Sequence, residues 1–185
     1  MKTKKSILGK RFIAFFIDWY ISSLFASIPV IVMQSIQARD LVIINRLDNL
    51  SLPYAWMGGI LALAVYTAYY CIIPILRRKN WELGQTPGRQ LMKIKLIKTD
   101  GSSLELKNLL IRDFLCVLLL QGYLTSSNIY IMSLIQITAN LYIVPYFQSF
   151  YYVTVTVSLL MMLFSKKRQM LHDFLSKIEM IEISH

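Results

Sequence analysis

Asp18 lies six residues inside a long apolar run, 12–36, with Lys10 and Arg11 at its basic mouth. Near the centre of a bilayer a carboxylate costs about 2.5–3.5 kcal/mol on insertion scales, so it needs a partner or a task. Two tasks suit it. A desolvated carboxylate holds its proton more firmly than one in water and can trade that proton for a cation. Sodium would then need further oxygen ligands, since hard cations are held by carboxylates, carbonyls and hydroxyls. Ser22, one turn from Asp18, is the best placed of the candidates, ahead of Ser23, Gln148, Thr154 and Thr156. Thr154 and Thr156 stand two apart and cannot share a helix face. Alternatively, Asp18 accepts hydrogen bonds from another helix and fixes packing.

Spacing limits its partners. Arg11, Ala14 and Asp18 fall at i, i+3 and i+7, one face of a helix that looks into a bundle. Arg11 and Asp18 are separated by about 10.5 Å along the axis at about 1.5 Å per residue, too far for a pair within the helix. Asp173 follows the last apolar run and is level with Arg11, which makes an Arg11–Asp173 bridge between the first and last elements the better expectation.

Catalytic readings do poorly. His172 and Asp173 are adjacent and do not face one another on a helix, and no serine or cysteine nucleophile is grouped with them, so no enzyme is expected. His172 reads as an interfacial residue. Two histidines and two cysteines within apolar stretches, Cys71 and Cys116, form neither a metal-ligand cluster nor a disulfide framework. The cysteines read as packing residues, and no cofactor is implied.

Composition places these residues in a membrane. The 185 residues are 56% hydrophobic and 16% charged, against about 45–50% apolar and about 25% charged in soluble domains. The net charge of +10 does not point to nucleic acid, because the basic residues cluster at the ends of apolar runs, the pattern that orients membrane proteins. The amino-terminal run resembles a signal peptide only superficially. It is longer than an h-region and carries Asp18, so it reads as a retained span.

Runs 12–36 and 54–76 are each long enough to cross. Three further apolar stretches follow, broken at 125–128 and at Pro145. Residues 1–11 hold five Lys/Arg, 77–112 nine and 166–185 four, against two in 37–53. If the basic blocks are cytoplasmic, both termini lie inside and the number of crossings is even. The expected fold is an all-α transmembrane bundle forming one membrane domain over 1–185. Its spans are near 12–36, 54–76, 108–124 and 145–164, with a cytoplasmic loop at 77–107 and an outer interfacial segment at 129–144. Tyr142, Tyr146, Tyr151 and Tyr152 would then ring the outer headgroups. No internal repeat of the kind that builds many transporters is visible. Ala55, Gly58, Gly59 and Ala62 permit close helix contact, in a homo-oligomer, with another membrane protein or internally.

Within the loop, apolar and basic residues alternate over 91–98, Thr99-Asp100-Gly101-Ser102 follows, and Leu104 and Leu106 alternate with charges. That pattern predicts a β-hairpin. Its basic face could meet anionic lipid at the inner leaflet, or simply be solvated. Ahead of it, Gly84-Gln85-Thr86-Pro87-Gly88-Arg89 lacks the spacing of a phosphate loop and reads as a shaped turn.

Arg11, Ala14 and Asp18, the Gly84-to-Arg89 turn with its apolar-basic strand and Asp100-Gly101, Arg112 at the head of the third span, and Leu171-His172-Asp173 together resemble the RDD family of small bacterial membrane proteins. The family is named for an arginine and two aspartates, matched here by Arg11, Asp18 and Asp173. Pro87 departs from the aliphatic residue often found there, and the tail carries acidic Glu179 and Glu182. The resemblance implies a multi-pass protein of a bacterial plasma membrane. Some members are proposed to exchange sodium or other cations for protons, and related domains to act as subunits of membrane assemblies. Either would use the lipid bilayer, and no nucleic acid, as its surroundings.

Overall fold

The computed structural model describes residues 3–76, 81–139, 144–165 and 168–183. Among the residues weighed above, Lys2, Arg77, Arg78, Lys79, Tyr142, Lys166, Lys167 and His185 lie outside these ranges.

Three helices are long and apolar enough to cross a membrane, over Ile7–Ala38, Leu52–Ile75 and Pro145–Phe164. The first belongs to α1 (Thr3–Ala38). The second begins as α2 (Leu52–Thr67) and tightens through a π turn, Ala68–Ile72, and a 3₁₀ turn, Ile73–Ile75. The small residues of α2 are used within the chain. A Cβ on Gly58 would come 3.3 Å from Met33 of α1, and one on Gly59 would come 2.8 Å from Leu134.

Leu134 belongs to a third helical path that is interrupted. A short helix α4 (Leu106–Leu109) runs into a π-helical stretch, Leu110–Leu120. After a 3₁₀ turn, Gly122–Leu124, the path resumes as α5 (Asn128–Ala139). The two pieces lie end to end along α2. Leu118 and Ile131 pack in one cluster with Tyr66 and Tyr70, while Tyr130 and Leu134 join Ala55 and Ala62 further along. Residues 129–139 therefore bury Tyr130, Met132 and Leu134 and are not peripheral. Backbone groups freed at the break are met by side chains, as burial requires. Asn128 donates to the Leu118 carbonyl at 2.7 Å, and Thr154 of α6 (Val144–Phe164) donates to the Leu120 carbonyl at 2.6 Å. Tyr151, expected among the headgroups, is buried against Asn128, whereas Tyr146 and Tyr152 stay exposed.

The expected β-hairpin is not formed. Strand β1 (Ile94–Lys98) pairs antiparallel with β2 (Ile178–Glu182) from the far end of the chain, and Leu106 opens α4 instead of ending a second strand. Alternation over 104–107 is too short to compete with the apolar face of the carboxyl-terminal segment. There Ile178 closes a cluster with Leu96, Leu109 and Cys71.

The two strands reveal an internal repeat that the sequence conceals. A short helix precedes each, α3 (Pro87–Leu91) and α7 (Leu171–Leu175), and corresponding positions are 84 residues apart throughout. Gly84 and Arg168 both have positive φ, as do Lys93 and Lys177. Gln85 donates to the Ile94 carbonyl at 3.3 Å, and Gln169 to that of Ile178 at 2.8 Å. The strand register closes the symmetry, since Ile94 faces Glu182, Lys98 faces Ile178 and Leu96 faces Met180. Thr99 N–H reaches the Lys177 carbonyl and Ile183 N–H that of Lys93. Each of the two segments is thus a turn, a short helix and a strand in the same order. The symmetric register relates the two segments by an approximate two-fold. Only Gln85/Gln169, Leu91/Leu175, Lys93/Lys177 and Ile94/Ile178 are identical over Gly84–Ile94 and its mate, too few to be seen in the sequence.

Candidate functional site

Asp18 is buried and fully engaged. Its Oδ1 accepts from Tyr69 Oη at 2.7 Å and from the Gly88 N–H at 2.8 Å, and its Oδ2 accepts from Thr86 Oγ1 at 2.5 Å. Gly88 stands in the first turn of α3, where backbone N–H groups have no intrahelical partner, so Asp18 caps that helix from another element. Thr86, at the cap position itself, makes no side-chain cap bond of its own. Pro87 begins the helix, where its missing N–H is no loss. The approach is close. A Cβ on Gly88 would come 2.5 Å from the Ala14 carbonyl and 2.9 Å from the Asp18 carboxylate. Small residues at 14 and 88 are therefore what let the turn seat on α1. Gly84 has φ +87°, and a Cβ there would strike the Leu96 backbone. Gln85 holds the turn's other side by accepting from the Glu82 N–H at 2.8 Å.

Ser22 is not brought into this cluster. Its Oγ meets Tyr70 Oη and the Trp19 carbonyl, each at 3.2 Å. The other proposed oxygen ligands also point elsewhere. Ser23 bonds the Tyr20 carbonyl at 2.9 Å, Thr154 serves the helix break, and Gln148 and Thr156 are exposed.

Asp173 is a different kind of node. Its Oδ2 pairs with Arg11 Nη2, and its Oδ1 with Arg112 Nε at 2.9 Å. Arg11 also donates to the Arg168 carbonyl at 2.6 Å. Arg112 continues outward to Asp113 Oδ1 at 2.5 Å and to His172 Nε2 at 3.2 Å. Burial pushes the Asp173 carboxyl up, but Arg11 and Arg112 outweigh it and hold it well below the ordinary range.

His172 is buried, not interfacial. A guanidinium can only donate, so His172 Nε2 must accept from Arg112, which leaves the proton on Nδ1 for Gln121 Oε1 at 2.8 Å. The ring is a neutral tautomer, and burial pushes its pKa down to about 3.

Arg89 occupies the repeat position of Asp173 yet has no counterpart to that clamp. It is 4% exposed, and its Nη1 finds no hydrogen-bond partner among the described residues. Burial and the nearby Arg112 push its pKa down. Asp113, 2% exposed, has a similar loose end in Oδ2. Both line a cavity of about 290 Å³ bounded by α1, α6 and the π-helical stretch, which Asp18, Arg11, Arg112 and His172 also border.

Sequence reasoning had the Gly84–Arg89 turn but not its contact with Asp18, and passed over Tyr69, Asp113 and Gln121. A signal was available for Asp113, a second carboxylate within an apolar run. The basic face of β1 is partly spent on neighbours, Lys95 on Glu82 and Lys98 on Glu105. No group of three or more potential metal ligands occurs among the described residues.

A family model described as the RDD family matches residues 6–177. Neither the curated proteins nor the solved structures contain a significant match to the chain.

Proposed function

This chain belongs to the RDD family, and on that premise we propose that it is a non-catalytic multi-pass membrane subunit in which Asp18 and Asp173 fasten a cytoplasmic cap to the first span. The observation that carries this reading is the saturation of Asp18 by Tyr69, Thr86 and Gly88. An exchanging carboxylate must let go of its donors in each cycle, and here those donors hold the turn that leads into β1.

Four crossings fit both the charge pattern and the helices. The third is formed by Leu106–Leu120 and Asn128–Ala139 in series, with the break at mid-depth, where irregular backbone is tolerated when protein surrounds it. The strand-bearing end is then cytoplasmic, with both termini, and a bacterial plasma membrane suits its Lys-rich inner surface. α6 packs chiefly on α7 and the 122–124 turn, which leaves much of its length for lipid, a second copy or a partner helix.

A second reading, cation/proton exchange, is favoured by one specific observation. Internal repeats and interrupted helices recur in secondary transporters, and here a repeated turn, short helix and strand accompanies an interrupted helical path. One experiment separates the two. Under the subunit reading, purification in a gentle detergent recovers a stoichiometric partner or oligomer, and proteoliposomes show no sodium-dependent proton movement. A flux that Asp18→Asn abolishes, with melting of the protein unchanged, establishes the exchanger instead.

A further inference from the structure

Of the positions identical between the two turn, helix and strand segments, two pairs are explained by packing. Gln85 and Gln169 are buried and hold the turns, and Ile94 and Ile178 are fully buried. The other two pairs face outward. Leu91 and Leu175 are 65% and 47% exposed, with Phe174 beside the latter at 61%. Lys93 and Lys177 are exposed and stand at φ +54° and +56°. The backbone alone would choose otherwise at these corners, since the left-handed region favours glycine or asparagine over a long side chain. A lysine held at both corners against that preference is there for its side chain.

Both ammonium groups are open to an outside partner. Neither Lys93 nor Lys177 forms an ion pair among the described residues, whereas Lys10, Lys95 and Lys98 are held by Glu182, Glu82 and Glu105. Position says what the partner is. Ile94, next to Lys93, faces Glu182, whose pair with Lys10 lies at the start of the first span. Ser176, next to Lys177, accepts from Asn108 at the start of the third helical path. A lysine two residues after an exposed leucine suits the boundary of a leaflet, where the apolar side chain enters hydrocarbon and the ammonium meets phosphate. The antiparallel register puts the two corners at opposite ends of the sheet, roughly 15–20 Å apart at about 3.3 Å per residue. No single headgroup bridges them.

We propose that Leu91 with Lys93 and Leu175 with Lys177 form two equivalent docking sites for anionic phospholipid, one lipid at each corner of the cap. This rests on the four-crossing reading, which sets both helical starts at the inner leaflet. The experiment is blind to sidedness, so its failure and that of the topology are separate.

The full chain is purified in mild detergent, stripped of lipid and offered phosphatidylglycerol or phosphatidylcholine with matched acyl chains, and native mass spectrometry counts the lipids retained. Two phosphatidylglycerols are expected, each held about fivefold better than phosphatidylcholine, one lysine's contribution at an anionic surface. Lys93→Gly and Lys177→Gly suit their backbone and should melt no lower than the wild type, yet each should lose one of the two lipids, and the double variant both. Lys95→Gln, the same loss of formal charge at a lysine already held by Glu82, should keep both. Equal retention of the two lipids by the wild type overturns the proposal, as does full retention by the double glycine variant. Displacement by an equal concentration of soluble glycerol phosphate, which lacks the chains that Leu91 and Leu175 would meet, also overturns it.

Discussion

Asp18 and Asp173 are both buried carboxylates of the family signature, yet one is satisfied by neutral donors and the other by formal charges. Asp18 receives two hydroxyls and a backbone N–H, and Asp173 two guanidinium groups. The difference follows from what each must hold. Asp18 seats a tight turn on a helix face, where only small groups fit and donors come from the turn itself. Asp173 ties its short helix to α1 and the π-helical stretch at once, and only long side chains from those two elements can reach it. A clamp of charges is strong but leaves large penalties if broken, whereas a neutral cradle degrades by steps.

The largest expected effect therefore lies at Asp173. Asp173→Ala leaves Arg11 and Arg112 buried together and should cost about 3–5 kcal/mol, read as lost folded yield and a lowered melting temperature in detergent. The reversed pair, Arg11→Asp with Asp173→Arg, should not rescue it, because the new arginine would meet Arg112. Rescue would mean that Arg112 is not part of the clamp.

Next comes Asp18. Asp18→Ala leaves two hydroxyls that can turn to other acceptors and one backbone N–H that cannot, at about 1–3 kcal/mol for that amide, while Asp18→Asn keeps an acceptor for it and should lose much less. Equal melting of the two variants would break the neutral-cradle description. Gly88→Ala should resemble Asp18→Ala, since its methyl would press on the Ala14 carbonyl and the carboxylate.

At pH 6 a smaller effect, about 1 kcal/mol, is a pH dependence confined to the Asp173 side. His172 is neutral in the folded protein with a pKa near 3, below its usual value of about 6.5 when unfolded. The unfolded chain thus binds a proton first, and stability should fall as pH drops from about 6.5 towards 3, by about one proton's slope. Asp173 adds a loss only below about pH 4, where the unfolded carboxyl protonates. Melting curves of His172→Gln should be flat between pH 6.5 and 4.5, and persistence of the slope would reassign it. Smallest of all, Glu182→Gln removes a partly exposed pair with Lys10 and should change stability by about 0–1 kcal/mol.

Much of this was legible in the chain. Apolar length marked the three membrane-length helices, and depth alone separated Arg11 from Asp18 and matched it to Asp173. What was hidden is long-range. Local alternation predicted a hairpin within 91–107, because nothing in those residues reports an equally good strand at 178–182. The repeat was invisible because hydrogen bonding and φ angles, not side-chain identity, carry it. Asp18 looked solitary because its donors lie 51 to 70 residues away.

The fastening of the cap by Asp18 is tested most directly by hydrogen exchange at the Gly88 amide, which donates to that carboxylate. In the wild type this amide should exchange slowly. In Asp18→Ala it should exchange at least about tenfold faster, the loss of a charge-assisted bond, while amides of Ile178–Glu182 keep their protection. An unchanged Gly88 rate in a folded Asp18→Ala protein would contradict the account.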